Sequence, residues 1–196
     1  MNRFKFNQLN TELTSKLANG KLVLWLSLLL AIAPSTPSFK YLIADSMAFH
    51  MLVQIPLLIL AGYLIGRYFK LHLNPKSLNI VLSCWLWFLF ATLFWMLPIS
   101  LDKALLSYGW DFFKIISLIL TGLLLTVALS SSKILSLFFI GSTVMMLFFI
   151  GYYYQDTTLR LCNSYLIESQ QNAGIGLIAM AFTIVFLCAA ALYKEA

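Results

Sequence analysis

Five long stretches of this chain run almost free of charge, and such runs leave a backbone very few choices. Residues 47–66, 80–98, 112–129, 134–154 and 173–193 each approach the length a helix needs to cross a bilayer's hydrocarbon core, about 20 residues. In lipid no water meets an unpaired amide or carbonyl, so a spanning apolar run satisfies its backbone as a helix. A sixth run, 22–33, is only twelve residues long. With Lys16 and Lys21 before it and Ala31-Ile32-Ala33 after it, it resembles a signal-peptide core. Pro34 would directly follow the cleavage point, where proline is poorly tolerated, so the run reads instead as a short first span over about 17–33. The expectation is an all-α integral membrane protein, a single domain of six transmembrane helices behind a polar segment at 1–16.

Composition agrees. The chain is 61% hydrophobic, 15% aromatic and 10% charged, against roughly 25% charged for an ordinary soluble domain. That excludes a soluble enzyme, a disordered tail and a nucleic-acid binder. The net charge of +6 is a topology signal rather than the mark of an acidic partner. With the N-terminus inside, nine basic residues fall on the cytoplasmic side: Arg3, Lys5, Lys16, Lys21, Arg67, Lys70, Lys76, Lys133 and Lys194. Four fall outside, at Lys40, Lys103, Lys114 and Arg160. Of the acids only Glu12 and Glu195 lie inside. The bias predicts an N-in, C-in protein, and the loops expected outside (34–46, 99–110 and 155–172) are longer than the inner turn at 130–133. Cys84, Cys162 and Cys188 show no paired spacing, which gives no disulfide framework.

Function must then come from a few polar residues, because polar groups placed in a membrane are costly and often functional. Met47, His50, Met51 and Gln54 fall at helical spacing and share one face at the start of the second span. Met96 ends the third span within Trp95-Met96-Leu97-Pro98. Asp102 follows in the loop, Asp111 and Lys114 open the fourth span, and Gln170 and Gln171 open the last. Thioether and imidazole groups suit Cu(I), since soft ligands select that ion. Methionine at helical spacing in an apolar chain also packs irregular gaps, and a single histidine also serves as an interfacial hydrogen-bonding group. Both readings stay open for Met47, His50, Met51 and Met96. The chain has no Gly-rich phosphate cradle, no CxxC, no HExxH and no hydrolase elbow. His72 is expected on the opposite side from His50, which argues against a bis-histidine haem. No acid, base or nucleophile stands in a recognisable arrangement, so the expectation is a non-enzymatic protein.

An ordered set of short motifs resembles the multi-pass CtaG family of membrane proteins. These are Trp95-Met96-Leu97-Pro98 with Asp102 and Ala104, then Ser117 to Leu124, His50-Met51-Leu52-Val53-Gln54, and Ser169-Gln170-Gln171-Asn172-Ala173-Gly174. The last two are similar to the family's His-Met-x-x-His and Asp-Gln-Gln-x-Gly-Gly signatures. The resemblance covers about 45–193 and implies assembly of, or copper supply to, haem-copper oxidases in a bacterial inner membrane. The departures fall on the family's imidazoles: Gln54 replaces the second histidine, and Met96 replaces the histidine of Trp-His-Leu-Pro. Asp111 and Ile115 stand where a histidine pair is usual, and Ser169 replaces an aspartate. Two outcomes follow. Either His50, Met47, Met51 and Met96 hold Cu(I), with Gln54, Asp102, Asp111, Gln170 and Gln171 as polar support, or the metal function is gone. In the second case the chain is an accessory subunit of a larger membrane complex.

Overall fold

The computed structural model describes residues 20–33, 36, 44–69, 77–157 and 159–193. Seven helices and no strand are found among them. We number them α1 (Gly20–Ile32), α2 (Met47–Tyr68), α3 (Leu78–Met96), α4 (Pro98–Leu106), α5 (Tyr108–Ala128), α6 (Lys133–Asp156) and α7 (Ile167–Tyr193). Five of them, α2, α3, α5, α6 and α7, are long and apolar enough to cross a membrane. The described part of α1 has 13 residues, which reach about 20 Å against a hydrocarbon core of about 30 Å. The expected start of the first span at 17, the polar segment 1–16, Lys40, Lys70, His72, Lys76 and Lys194 lie outside the described residues.

Local chemistry sets the boundaries. Ser46 caps α2 by accepting from the Phe49 amide at 3.3 Å, and Ser132 caps α6 by accepting from the Leu135 amide at 3.4 Å. Within α2, residues His50–Gln54 form a π turn, closed by the Ile55 amide donating to the His50 carbonyl. Pro56 follows immediately and has no N–H to continue the narrower α ladder, which accounts for the wider turn at this place. Pro98 holds Leu97 in an extended conformation (φ −74°, ψ 136°), so α3 stops there and α4 starts with the proline in its first turn.

This last feature corrects the sequence reading. Residues 99–110 are not an open loop, because 98–106 form a short helix with Ser100, Leu101, Asp102 and Ala104 buried beneath it. Likewise α5 begins at 108 and α7 at 167, earlier than the apolar runs at 112 and 173. Polar first turns extend both helices past their apolar cores, and hydropathy alone does not register them.

The long helices alternate in direction. Met47, Met96, Tyr154 and Ala173 share one buried core, so α2 and α7 begin where α3 and α6 end. We call this the His50 end. A smaller core of Val81, Cys84, Trp85, Ala128 and Phe139 closes the other, Trp85 end. The central contact is α2 against α5. A Cβ on Gly62 would lie 2.0 Å from the Ile119 carbonyl oxygen, and one on Gly122 would lie 2.0 Å from the Ile59 carbonyl oxygen. Only glycine lets these backbones come so near, as is common where membrane helices cross closely. A second close crossing, Gly151 against Gly174, joins α6 to α7. Outward faces carry Phe90, Phe138, Phe182 and Phe186, as a lipid-facing surface requires.

Candidate functional site

The most unusual chemistry lies at the His50 end. His50, Lys114 and Tyr165 are fully or almost fully buried, with Asp111 barely exposed. Lys114 Nζ lies 3.0 Å from Asp111 Oδ1 and 2.9 Å from His50 Nε2. His50 Nδ1 lies 2.9 Å from the Tyr165 hydroxyl. Asp111 and Lys114 are one helical turn apart at the start of α5, so their side chains meet by ordinary i,i+3 geometry. His50 comes from the π turn of α2, and Tyr165 from the connection before α7. Three separate segments therefore converge on one imidazole.

Donor and acceptor roles fix its protonation. An ammonium only donates, so His50 Nε2 must accept from Lys114. In the neutral imidazole the ring proton then sits on Nδ1 and is donated to the Tyr165 oxygen. Burying a lone lysine would cost several kcal/mol or more. The Asp111 carboxylate and the imidazole lone pair together offset that cost.

The Tyr165 segment is itself strapped down. Asp102 accepts from the Asn163 amide at 2.8 Å and from the Ser164 amide at 3.2 Å. Gln170 accepts from the Leu161 amide at 3.0 Å and donates to the Tyr154 and Leu159 carbonyls. Arg160 donates to the carbonyls of Cys162, Asn163 and Tyr165. Burial, reinforced by the nearby Asp102 charge and opposed by Arg160, pushes the Cys162 thiol up to about 12. Burial likewise raises the Tyr165 hydroxyl above its ordinary value, helped by Cys162 and Asp102. Ser169, where the resembled signature has aspartate, accepts from the Met47 amide at 2.8 Å and so ties α7 to the start of α2. Tyr154 donates to the Met96 carbonyl.

The residues singled out in the sequence are thus mostly at one end, but in different roles. Met47, His50, Met51 and Gln54 are all buried on the expected face of α2, and Met47, Met51 and Met96 belong to one packed core. Asp102 and Gln170 hold the strap. Asp111 serves Lys114. Gln171 is exposed and joins none of this. The sequence reading takes Lys114 as an outside charge at the start of the fourth span and Ser169 only as a departure from an aspartate, and it does not single out Tyr165. The i,i+3 spacing of Asp111 and Lys114 was an available signal, whereas nothing in the sequence pairs Lys114 with a histidine 64 positions away.

A copper ion does not fit this arrangement as it stands. Both ring nitrogens of His50 are engaged, and the nitrogen that would face a metal faces an ammonium instead. A monovalent ion placed about 4 Å from that ammonium would be repelled by about 4 kcal/mol at an effective dielectric of about 20. Among the described residues no group of three or more His, Cys, Asp or Glu side chains comes together in a metal-holding cluster. Comparison with known proteins adds no assignment: no protein-family model matches the sequence, no curated protein matches it, and no solved structure matches the fold.

Proposed function

We propose that this chain is a non-enzymatic accessory protein of a larger membrane complex of the respiratory-oxidase type, and that it holds no metal of its own. The observation that carries this reading is Lys114 Nζ at 2.9 Å from His50 Nε2, because it places a fixed positive charge on the one imidazole a copper site would need. The choice of complex rests on the CtaG-like motifs alone. On this reading the protein sits in a bacterial inner membrane with both termini cytoplasmic, crosses it six times, and meets its partner through apolar helix faces.

A second reading, Cu(I) handling during oxidase assembly, is favoured by one observation: Met47, Met51 and Met96 are buried together at the same end as His50. One preparation separates the two. The protein is purified in mild detergent, loaded with Cu(I) without oxygen and analysed for metal and for co-purifying proteins. A stoichiometric partner with no retained copper is the expected result. About one copper per chain, lost in a His50→Ala/Met96→Ala double variant, would replace the accessory reading with the copper one.

A further inference from the structure

Helix α4 is turned the opposite way from a helix that faces water. Its outward side carries Ile99 and Leu106, 65% and 80% exposed, with Lys103 between them. Its inward side carries Ser100 and Asp102, 1% and 8% exposed, beside Leu101 and Ala104. A water-facing helix hides its large apolar side chains and shows its polar ones. Rotation of α4 about its own axis would exchange the two sides, and water would favour the exchanged form.

The neighbours of α4 fix its level. It joins the end of α3 to the start of α5, two packed helices that run in opposite directions, so it lies where both leave the membrane. Exposed apolar side chains follow one another through both junctions: Leu97 closes α3, Ile99 and Leu106 lie on α4, and Tyr108 and Phe112 open α5. Lys103 forms no ion pair among the described residues, and its Nζ lies 5.0 Å from the centre of the Trp110 ring. Lysine and tryptophan both suit the headgroup level, because each has an apolar body and a polar tip. Interfacial helices bury their apolar face about 5–10 Å into the boundary between headgroups and chains. We infer that α4 is such an interfacial helix, with Ile99 and Leu106 seated among the uppermost lipid chain segments and Lys103 reaching the headgroup phosphates. The partner of this face is the bilayer itself. On the opposite side of the same helix, Asp102 accepts from the Asn163 and Ser164 amides, next to Tyr165 in the chain. Lipid seating of α4 thereby holds the strap against the His50 end, whatever complex the chain serves.

The test places a coumarin amino acid at position 99 or 106 of the full chain, and at the exposed mid-span position of Leu86 as a reference. Each protein is reconstituted in nanodiscs of phosphatidylethanolamine and phosphatidylglycerol carrying brominated acyl chains. Bromines near the carbonyl end of the chain are expected to quench the probes at 99 and 106 more than bromines near its tip. Aqueous iodide is expected to leave these two probes little changed, and at 86 the order of the two bromines is expected to reverse. Stronger quenching by iodide than by bromine at 99 and 106 overturns the inference, because it puts the face in water. Protection from both quenchers also overturns it and assigns the face to a second copy of the chain. The link to the strap is read by amide hydrogen exchange in the same nanodiscs. Ile99→Ser/Leu106→Ser keeps the buried side of α4 and weakens its hold on lipid, and Leu106→Ser alone is the milder companion. Exchange at Asn163 and Ser164 is expected to rise in both, as in Asp102→Asn. Native exchange at these two amides in a folded variant of the lipid face overturns the link.

Discussion

The two ends of the bundle are built on different principles. At the Trp85 end, shape does the work: Trp85 and Phe139 stack at 5.2 Å with nearly parallel rings, and the polar groups beside them are hydroxyls such as Ser131 and Ser136. At the His50 end, Asp111, Lys114, His50 and Tyr165 are buried in a row, and a strap held by Asp102 and Gln170 closes over them. Apolar packing tolerates exchange of similar volumes, whereas removing one partner of a buried ion pair leaves the other charge uncompensated. The difference is one of chemistry: one end is held by ring stacking and hydroxyls, the other by an ion pair and an imidazole withdrawn from solvent.

The contrast can be broken most severely at its charged member. Lys114→Ala leaves Asp111 buried without its ammonium and is expected to cost about 3–5 kcal/mol, read as lost thermal stability in detergent. Equal stability of Asp111→Asn/Lys114→Met and the native protein would show that the charges set geometry rather than stability. Gly122→Ala comes next. Its methyl would meet backbone atoms at 2.0 Å, so α2 and α5 must separate at a cost of about 1–3 kcal/mol or more. Tyr165→Phe keeps the ring and removes one hydrogen bond, a loss of about 1 kcal/mol, visible as faster proteolysis within 159–166.

A fourth test uses alkali. The Cys162 thiol is raised from an ordinary 9.0 to about 12. Between those values the folded chain keeps a proton that the unfolded chain releases, so stability should fall as pH rises through that window. Cys162→Ala should flatten that slope, read from thermal stability in detergent across the window. The smallest effect is a gain. A Cβ on Gly141 meets nothing within 4 Å, so Gly141→Ala should stabilise α6 by about 0.5–1 kcal/mol. A loss there would mean that this face is occupied.

Much of the scaffold was legible because apolar length is a local property. The five long helices sit where their apolar runs do, and Pro98 marks the end of α3. Helix α4 was not legible, since residues 98–106 mix Leu101 and Ala104 with Asp102 and Lys103 and only the packed side reveals a face. At the site, the shared face of Met47, His50, Met51 and Gln54 followed from spacing. The partners of those residues did not. Lys114 reaches His50 across two helices, and Asp102 reaches amides 61 and 62 positions away. Spacing along a chain carries no information about such distances.

The π turn has one more consequence. A five-residue turn is an α-helix with a single residue inserted, so the start of α2 is wound about 100° out of phase with the rest of the helix. The first turns can thereby address α7 and the Lys114 row, while Gly62 and Gly66 address α5. The two registers are mechanically separate. Loss of one residue between 50 and 54 would leave the glycine crossing as it is and turn the imidazole away from its ammonium, like a key rotated in a lock whose frame has not moved.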